Sequence, residues 1–208
     1  MCEALRSFWL RGDLMRVRSV LTVIAATSVT ALLASAAVAD VDKPAEGAGD
    51  VSIVASSGDT YASEQSVNVD VTRHSVSHGK KITIKSRYTD LATPSKGDLI
   101  ALLTWLKVKN GTEYSFTLGA TKNDKSGTPR LFSNNTQLTC KGMSVKFDYD
   151  AETVVASVPR SCLGDPAWLR YYTEASFDTG SDYFTDRVGT TGPGYREKPN
   201  YSPKLYKG

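Results

Sequence analysis

The sequence predicts an all-β fold: a two-layer antiparallel β-sandwich of about eight strands, stapled by one disulfide. Three observations predict it. Apolar and polar residues alternate with a period of two in several separate stretches, the mark of half-buried strands. Turn chemistry divides those stretches at short intervals, most plainly at Asn110-Gly111. Beyond residue 39 no stretch carries a convincing helical repeat, so sheets with one apolar face must cover it with another sheet.

The first element stands outside that sandwich. In "MRVRSVLTVIAATSVTALLASAAVAD", Arg16 and Arg18 precede an apolar run from Val20 that closes on Ala37-Val38-Ala39. This is the order of a secretory signal peptide, assigned to residues 1–39. Glu3 and Asp13 fit poorly in a basic region, which makes Met15 an alternative start. An uncleaved anchor would have to cross a bilayer with Ser19 to Ala39, whose Ala, Ser and Thr content is only weakly apolar. The expectation is therefore a cleaved, secreted chain with no membrane span. Removing residues 1–39 takes the 25 basic and 22 acidic side chains to 21 and 20, and the formal charge from +3 to +1. That balance gives no support to nucleic acid as a partner.

Residues 40–66, rich in Gly, Ala, Ser and Asp, read as a flexible spacer. The folded domain is expected over 67–208. Its first hairpin lies in "VDVTRHSVSHGKKITIKSRYTDL": a strand ending near His78, a turn at Gly79-Lys80, and a strand with Ile82, Ile84 and Tyr88 inward. Ser86 interrupts that inward row. Leu99, Leu102, Leu103 and Leu106 would fit a helix face behind Asp98, but Asn110-Gly111 and the alternation of Tyr114, Phe116 and Leu118 demand a partner strand. Leu102 to Val108 is assigned to it. A short strand at "RLFS" follows, and then the hairpin between the cysteines. In "WLRYYTEASF", Leu169, Tyr171, Thr173, Ala175 and Phe177 share one face. From about residue 178 the chain reads as loop, with an edge strand near Tyr201 to Tyr206.

The cysteine hairpin carries the strongest inference. Met143, Val145, Phe147 and Tyr149 alternate with polar residues, "DAET" turns the chain, and Val154, Ala156 and Val158 alternate again before Pro159. A fold about the middle of Asp150 to Thr153 brings Cys140 opposite Cys162 at the open end. Cross-strand spacing suits a disulfide there, and an exported chain favours it over two free thiols.

Three ordered features, "DVTRHSVSHGKKITIKSRYTDL", "VPRSCLGDPAWLR" and "YSPKLYKG", resemble a group of uncharacterised secreted proteins from actinobacteria that look like β-sandwiches of the DOMON and family 9 carbohydrate-binding type. The resemblance covers about residues 70–208, most specifically around Cys162. It implies a compact extracellular sandwich. Modules of that type bind haem or sugars; a haem axial pair would have to join Met143 to His74 or His78, which the spacing does not support, so no cofactor is expected.

Catalytic motifs are missing from the sequence. No G-x-S-x-G elbow accompanies the many serines. His74 and His78, four apart on a strand, share a face but have no evident third metal ligand, and no metal is expected. The acids of "DYDAE" belong to a turn, and those of "DTGSDYFTD" to a loop. Aromatics remain as binding candidates, because sugar rings stack on flat faces: Trp105, Trp168, Tyr172 and Tyr183. The first reading is a secreted, non-catalytic sandwich that binds cell-envelope or extracellular polysaccharide. Its rivals are an extracellular enzyme or enzyme inhibitor acting through exposed loops, and a structural envelope protein.

Overall fold

The computed structural model describes residues 40–44, 51–54, 60–62, 69–188 and 200–208. The signal-peptide reading of residues 1–39 lies outside them. The described chain is all-β, with fourteen strands. In chain order these are β1 (Asp40–Asp42), β2 (Ser52–Val54), β3 (Thr60–Ala62), β4 (Val71–His78), β5 (Lys81–Tyr88), β6 (Leu99–Val108) and β7 (Glu113–Thr121). There follow β8 (Asp124–Ser133), β9 (Thr136–Leu138), β10 (Ser144–Asp148), β11 (Thr153–Pro159), β12 (Trp168–Asp178), β13 (Tyr183–Arg187) and β14 (Leu205–Tyr206).

They form two antiparallel sheets. The small sheet has the order β1-β4-β5-β11-β10; the large one has the order β3-β2-β13-β12-β6-β7-β8-β9, with β14 also paired to β12. Nine strands have five or more residues, close to the expected eight, and the surplus consists of strands two or three residues long. Three of those short strands correct the spacer reading of 40–66: β1 joins the small sheet, and β2 and β3 join the large one. A three-residue strand near a sheet margin is held by backbone hydrogen bonds and needs no apolar alternation, so its composition hides it. The loop-like tail is corrected in the same way, because β13 lies inside it. β6 begins at Leu99 rather than Leu102, and β8 extends well upstream of "RLFS".

The core lies between the sheets. Val76, Ile82, Ile84, Val154, Ala156 and Val158 of the small sheet face Leu102, Leu106, Phe116, Leu118 and Leu169 of the large one, all essentially inaccessible. Burying each large side chain contributes about 1.5–3 kcal/mol. Polar side chains are set into this core in pairs. His74 Nδ1 lies 2.9 Å from Ser86 Oγ, which explains the break in the inward row of β5, and Thr104 meets Thr173 at 3.1 Å. A buried hydrogen bond also joins the two layers: the Val71 N–H donates to Asp186 Oδ2 at 2.7 Å, beside the register shift between Val71 and Arg73.

The sheets also meet at two margins. On one side β8 approaches β10 so closely that a Cβ on Gly127 would come within 2.5 Å of the Phe147 ring; Gly127 also has φ of 78°, so glycine is needed there twice over. On the other side the Tyr206 N–H donates to Asp40 Oδ2 (3.0 Å) and the Gly208 N–H to the His78 carbonyl (3.0 Å).

Cys140 and Cys162 form the expected disulfide, with Cα atoms 5.9 Å apart. The route to it differs from a cross-strand pair. Ser144 lies opposite Ser157 and Val145 opposite Ala156, a register one residue short of that which would align the cysteines. The ladder stops at those serines. Cys140 precedes a turn at Lys141-Gly142, and Cys162 sits in a single 3-10 turn, Arg160–Leu163, capped by Gly164 in the left-handed region at φ 76°. The bridge therefore joins two irregular segments beyond the hairpin's end. Both cysteines pack partly buried against the core.

Candidate functional site

β12 sets up the side of the large sheet that faces away from the core. Leu169, Tyr171, Thr173, Ala175 and Phe177 point inward as expected, so Trp168, Arg170, Tyr172, Glu174 and Ser176 point outward. Register carries this face onto the neighbours. Tyr172 lies opposite Trp105 of β6, and Glu174 lies opposite Leu103 of β6 and Arg187 of β13. Tyr183 shares the face, opposite Asp178.

Three of the four aromatic candidates therefore meet. The Trp105 and Tyr172 rings are 5.2 Å apart at 32°, and the Arg187 guanidinium lies 5.9 Å from the Tyr172 centroid. Arg187 Nε contacts Glu174 Oε2 at 3.2 Å, and both side chains are largely buried, at 9% and 12% exposure. The hydroxyls of Tyr172 and Tyr183 donate to the same carboxylate at 3.3 and 3.5 Å. Burial, followed by this carboxylate's charge, raises the Tyr183 pKa against the lowering effect of its Ser176 hydrogen bond. Tyr172, 6% exposed, is thus a supporting residue; Trp105 is half-buried and retains open surface.

Trp168 stands apart from the other three. It lies four residues along the same face from Tyr172, about 13 Å at strand rise, and the Lys204 ammonium sits 4.6 Å from its ring. Tyr201 is among the residues that sequence reasoning missed. Its ring meets the Lys107 ammonium at 5.7 Å, and Lys107 pairs with Glu113 at 3.0 Å. Burial and the nearby Glu113 carboxylate push the Tyr201 pKa up to about 12. The tail around it carries no alternation, so only its tyrosine content marked it.

A notch adjoins this band. Among the described residues, no strand pairs with β12 on that side from Arg170 to Thr173, between its contacts with β13 and β14. Ser202 takes the strand's place: its N–H donates to the Tyr171 carbonyl at 2.8 Å and its Oγ accepts from the Tyr171 N–H at 3.0 Å. The remaining cavity, about 300 Å³, is lined by Asp42, Tyr172, Asn200, Tyr201 and Ser202 among others. Asp42 accepts from the Tyr171 hydroxyl at 2.8 Å. Flat rings beside amide, hydroxyl and carboxylate groups suit a polyhydroxylated ligand.

The histidines are built into the interior. His74 is 4% and His78 0% exposed; His74 meets Ser86, and His78 Nδ1 donates to the Leu205 carbonyl at 3.0 Å. Burial lowers both pKa values, that of His74 to about 3. Among the described residues neither histidine is hydrogen-bonded to a carboxylate, as a triad base would be.

The acidic clusters resolve into turn contacts. Asp148 accepts from the Lys146 ammonium and the Ala151 N–H, which hold its carboxyl below the usual range. Asp178 caps Gly180, while Asp186 turns inward to Val71. Among the described residues no group of three or more His, Cys, Asp or Glu side chains is gathered to hold a metal. No family model, curated protein or solved structure matches the chain.

Proposed function

We propose that the protein is a secreted, non-catalytic module that binds a cell-envelope or extracellular polysaccharide on the outer side of its large sheet. The observation that carries this reading is the aromatic band of Trp105, Tyr172 and Tyr201 beside a polar notch of about 300 Å³. Trp105 is the stacking surface. Tyr172 fixes its angle from behind, and the Glu174–Arg187 pair holds Tyr172. Asn200, Ser202 and Asp42 supply donors and acceptors for sugar hydroxyls at the notch. The disulfide fits an oxidising compartment, and with the leader-like residues 1–39 it supports an extracellular location.

The test is retention of the purified protein on insoluble glycans and on cell-wall preparations. Binding to at least one polymer is expected, and Trp105→Ala should weaken it about tenfold, the scale of one lost aromatic stacking contact. Retention on no polymer, or an unchanged Trp105→Ala variant, overturns the proposal.

A further inference from the structure

The outer face of the small sheet is of a different kind. A cavity of about 630 Å³ there is lined by Lys43, Arg73, Lys85 and Arg87, with Ser75 and Thr153 between them. All four cationic side chains are exposed. Among the described residues Lys43, Arg73 and Lys85 make no ion pair, and Arg87 has only Glu152, at 3.8 Å and half-exposed. Among the described residues no carboxylate lines the cavity.

The register makes this costly. Arg73 and Arg87 are direct partners across β4 and β5, and Lys85, two residues from Arg87, lies on the same face. Like charges placed directly opposite on adjacent strands destabilise the pair. A sheet shaped for stability alone would set an acid or a neutral residue at one of these positions, as it does where Lys107 faces Glu113 on the large sheet.

The geometry points to a second ligand surface, for an anionic glycan whose charges are carboxylates or phosphodiesters. The planar arginine forks match both groups, and cations spread along two strands suit a chain of repeated charges rather than a single ion. Two other polyanions fit less well. Among the described residues the one ring in the lining, His74, is 4% exposed and turned inward to Ser86, so none is open to stack on nucleobases, and Val41 is the only large apolar side chain on this outer face that is exposed, too little to enter a lipid surface. This surface is independent of the aromatic band on the other sheet.

The test measures binding of the full chain to polygalacturonate, to a glycerol-phosphate polymer and to uncharged dextran at low and at moderate salt, with single-stranded DNA and anionic phospholipid vesicles as controls. Binding to one or both anionic glycans, weakening with salt, is expected, and the polymer preferred tells carboxylate from phosphodiester. Arg73→Ser with Lys85→Ser should weaken that binding about tenfold, the loss expected for charge-assisted contacts. The double variant should melt no lower than the parent, because a repulsion has been removed; Lys85→Gln alone provides a second, milder reading. No binding to either glycan, tighter binding to DNA or vesicles, or variants that bind like the parent would overturn the inference.

Discussion

The two sheets share one interior but treat charge in opposite ways on their outer sides. On the small sheet, Arg73, Lys85 and Arg87 are exposed, among the described residues only Arg87 has an ion-pair partner, and the sheet tolerates their repulsion. On the large sheet, Glu174 and Arg187 are withdrawn from water and held by each other, by two tyrosine hydroxyls and by an aromatic ring. The difference teaches where each sheet is vulnerable. A solvated charge can be deleted at little cost. A buried one cannot lose its partner without leaving an uncompensated ion.

The largest effect should therefore come from breaking the large sheet's pair. Glu174→Gln is expected to cost about 3–5 kcal/mol in urea unfolding, whereas replacing both members with leucine should cost far less. Equal losses for the single and the double replacement would erase the contrast between the sheets.

Next comes the small sheet's covalent support. Replacing Cys140 and Cys162 with serine opens a loop of 22 residues, for which loop-closure entropy gives a loss of about 3 kcal/mol. Hydrogen exchange should quicken first in β10 and β11 and leave β12 and β13 protected; uniform quickening would show that the sheets do not yield separately.

The smallest of the three is a pH effect on β4. His74 is neutral when folded down to about pH 3, while an unfolded histidine takes up its proton near pH 6.5. Between these values the unfolded state binds the extra proton, so stability is complete above pH 6.5 and falls on acidification. The loss from this residue is about 2 kcal/mol between pH 7 and pH 5. His78, lowered in the same direction, adds to it. Urea midpoints measured across this range should show the slope, and His74→Gln should flatten it.

Much of this fold could be read in the sequence, for physical reasons. Long strands with one buried face must alternate, so β4, β5, β10, β11 and the inward row of β12 were legible from Ile82, Ile84, Val154, Val158 and Leu169. The disulfide pairing was legible because a hairpin returns the chain to its starting point. The details of its route were not: the turn's residues set the register, and the cysteines fall outside the ladder.

The short strands β1, β2 and β3 carry no periodic signal, whereas β14 falls within the edge strand expected near Tyr201 to Tyr206. Part of the candidate site was legible as well. Placing Leu169 and Tyr171 inward necessarily puts Tyr172 and Glu174 together on the opposite, outward face of the strand. Arg187 was hidden because β13 was not recognised. Tyr201 was hidden because its position comes from Ser202 standing in for a strand, a substitution that no local pattern announces.

The residues from Leu205 to Gly208 act as a hasp across one side of the molecule. They touch β1, β4 and β12, yet only two of them pair as a strand. The join they close rests on a few backbone hydrogen bonds. Breathing there would admit deuterium to the His78 neighbourhood ahead of the rest of the interior, and a bulky fusion hung on Gly208 would hold the hasp ajar.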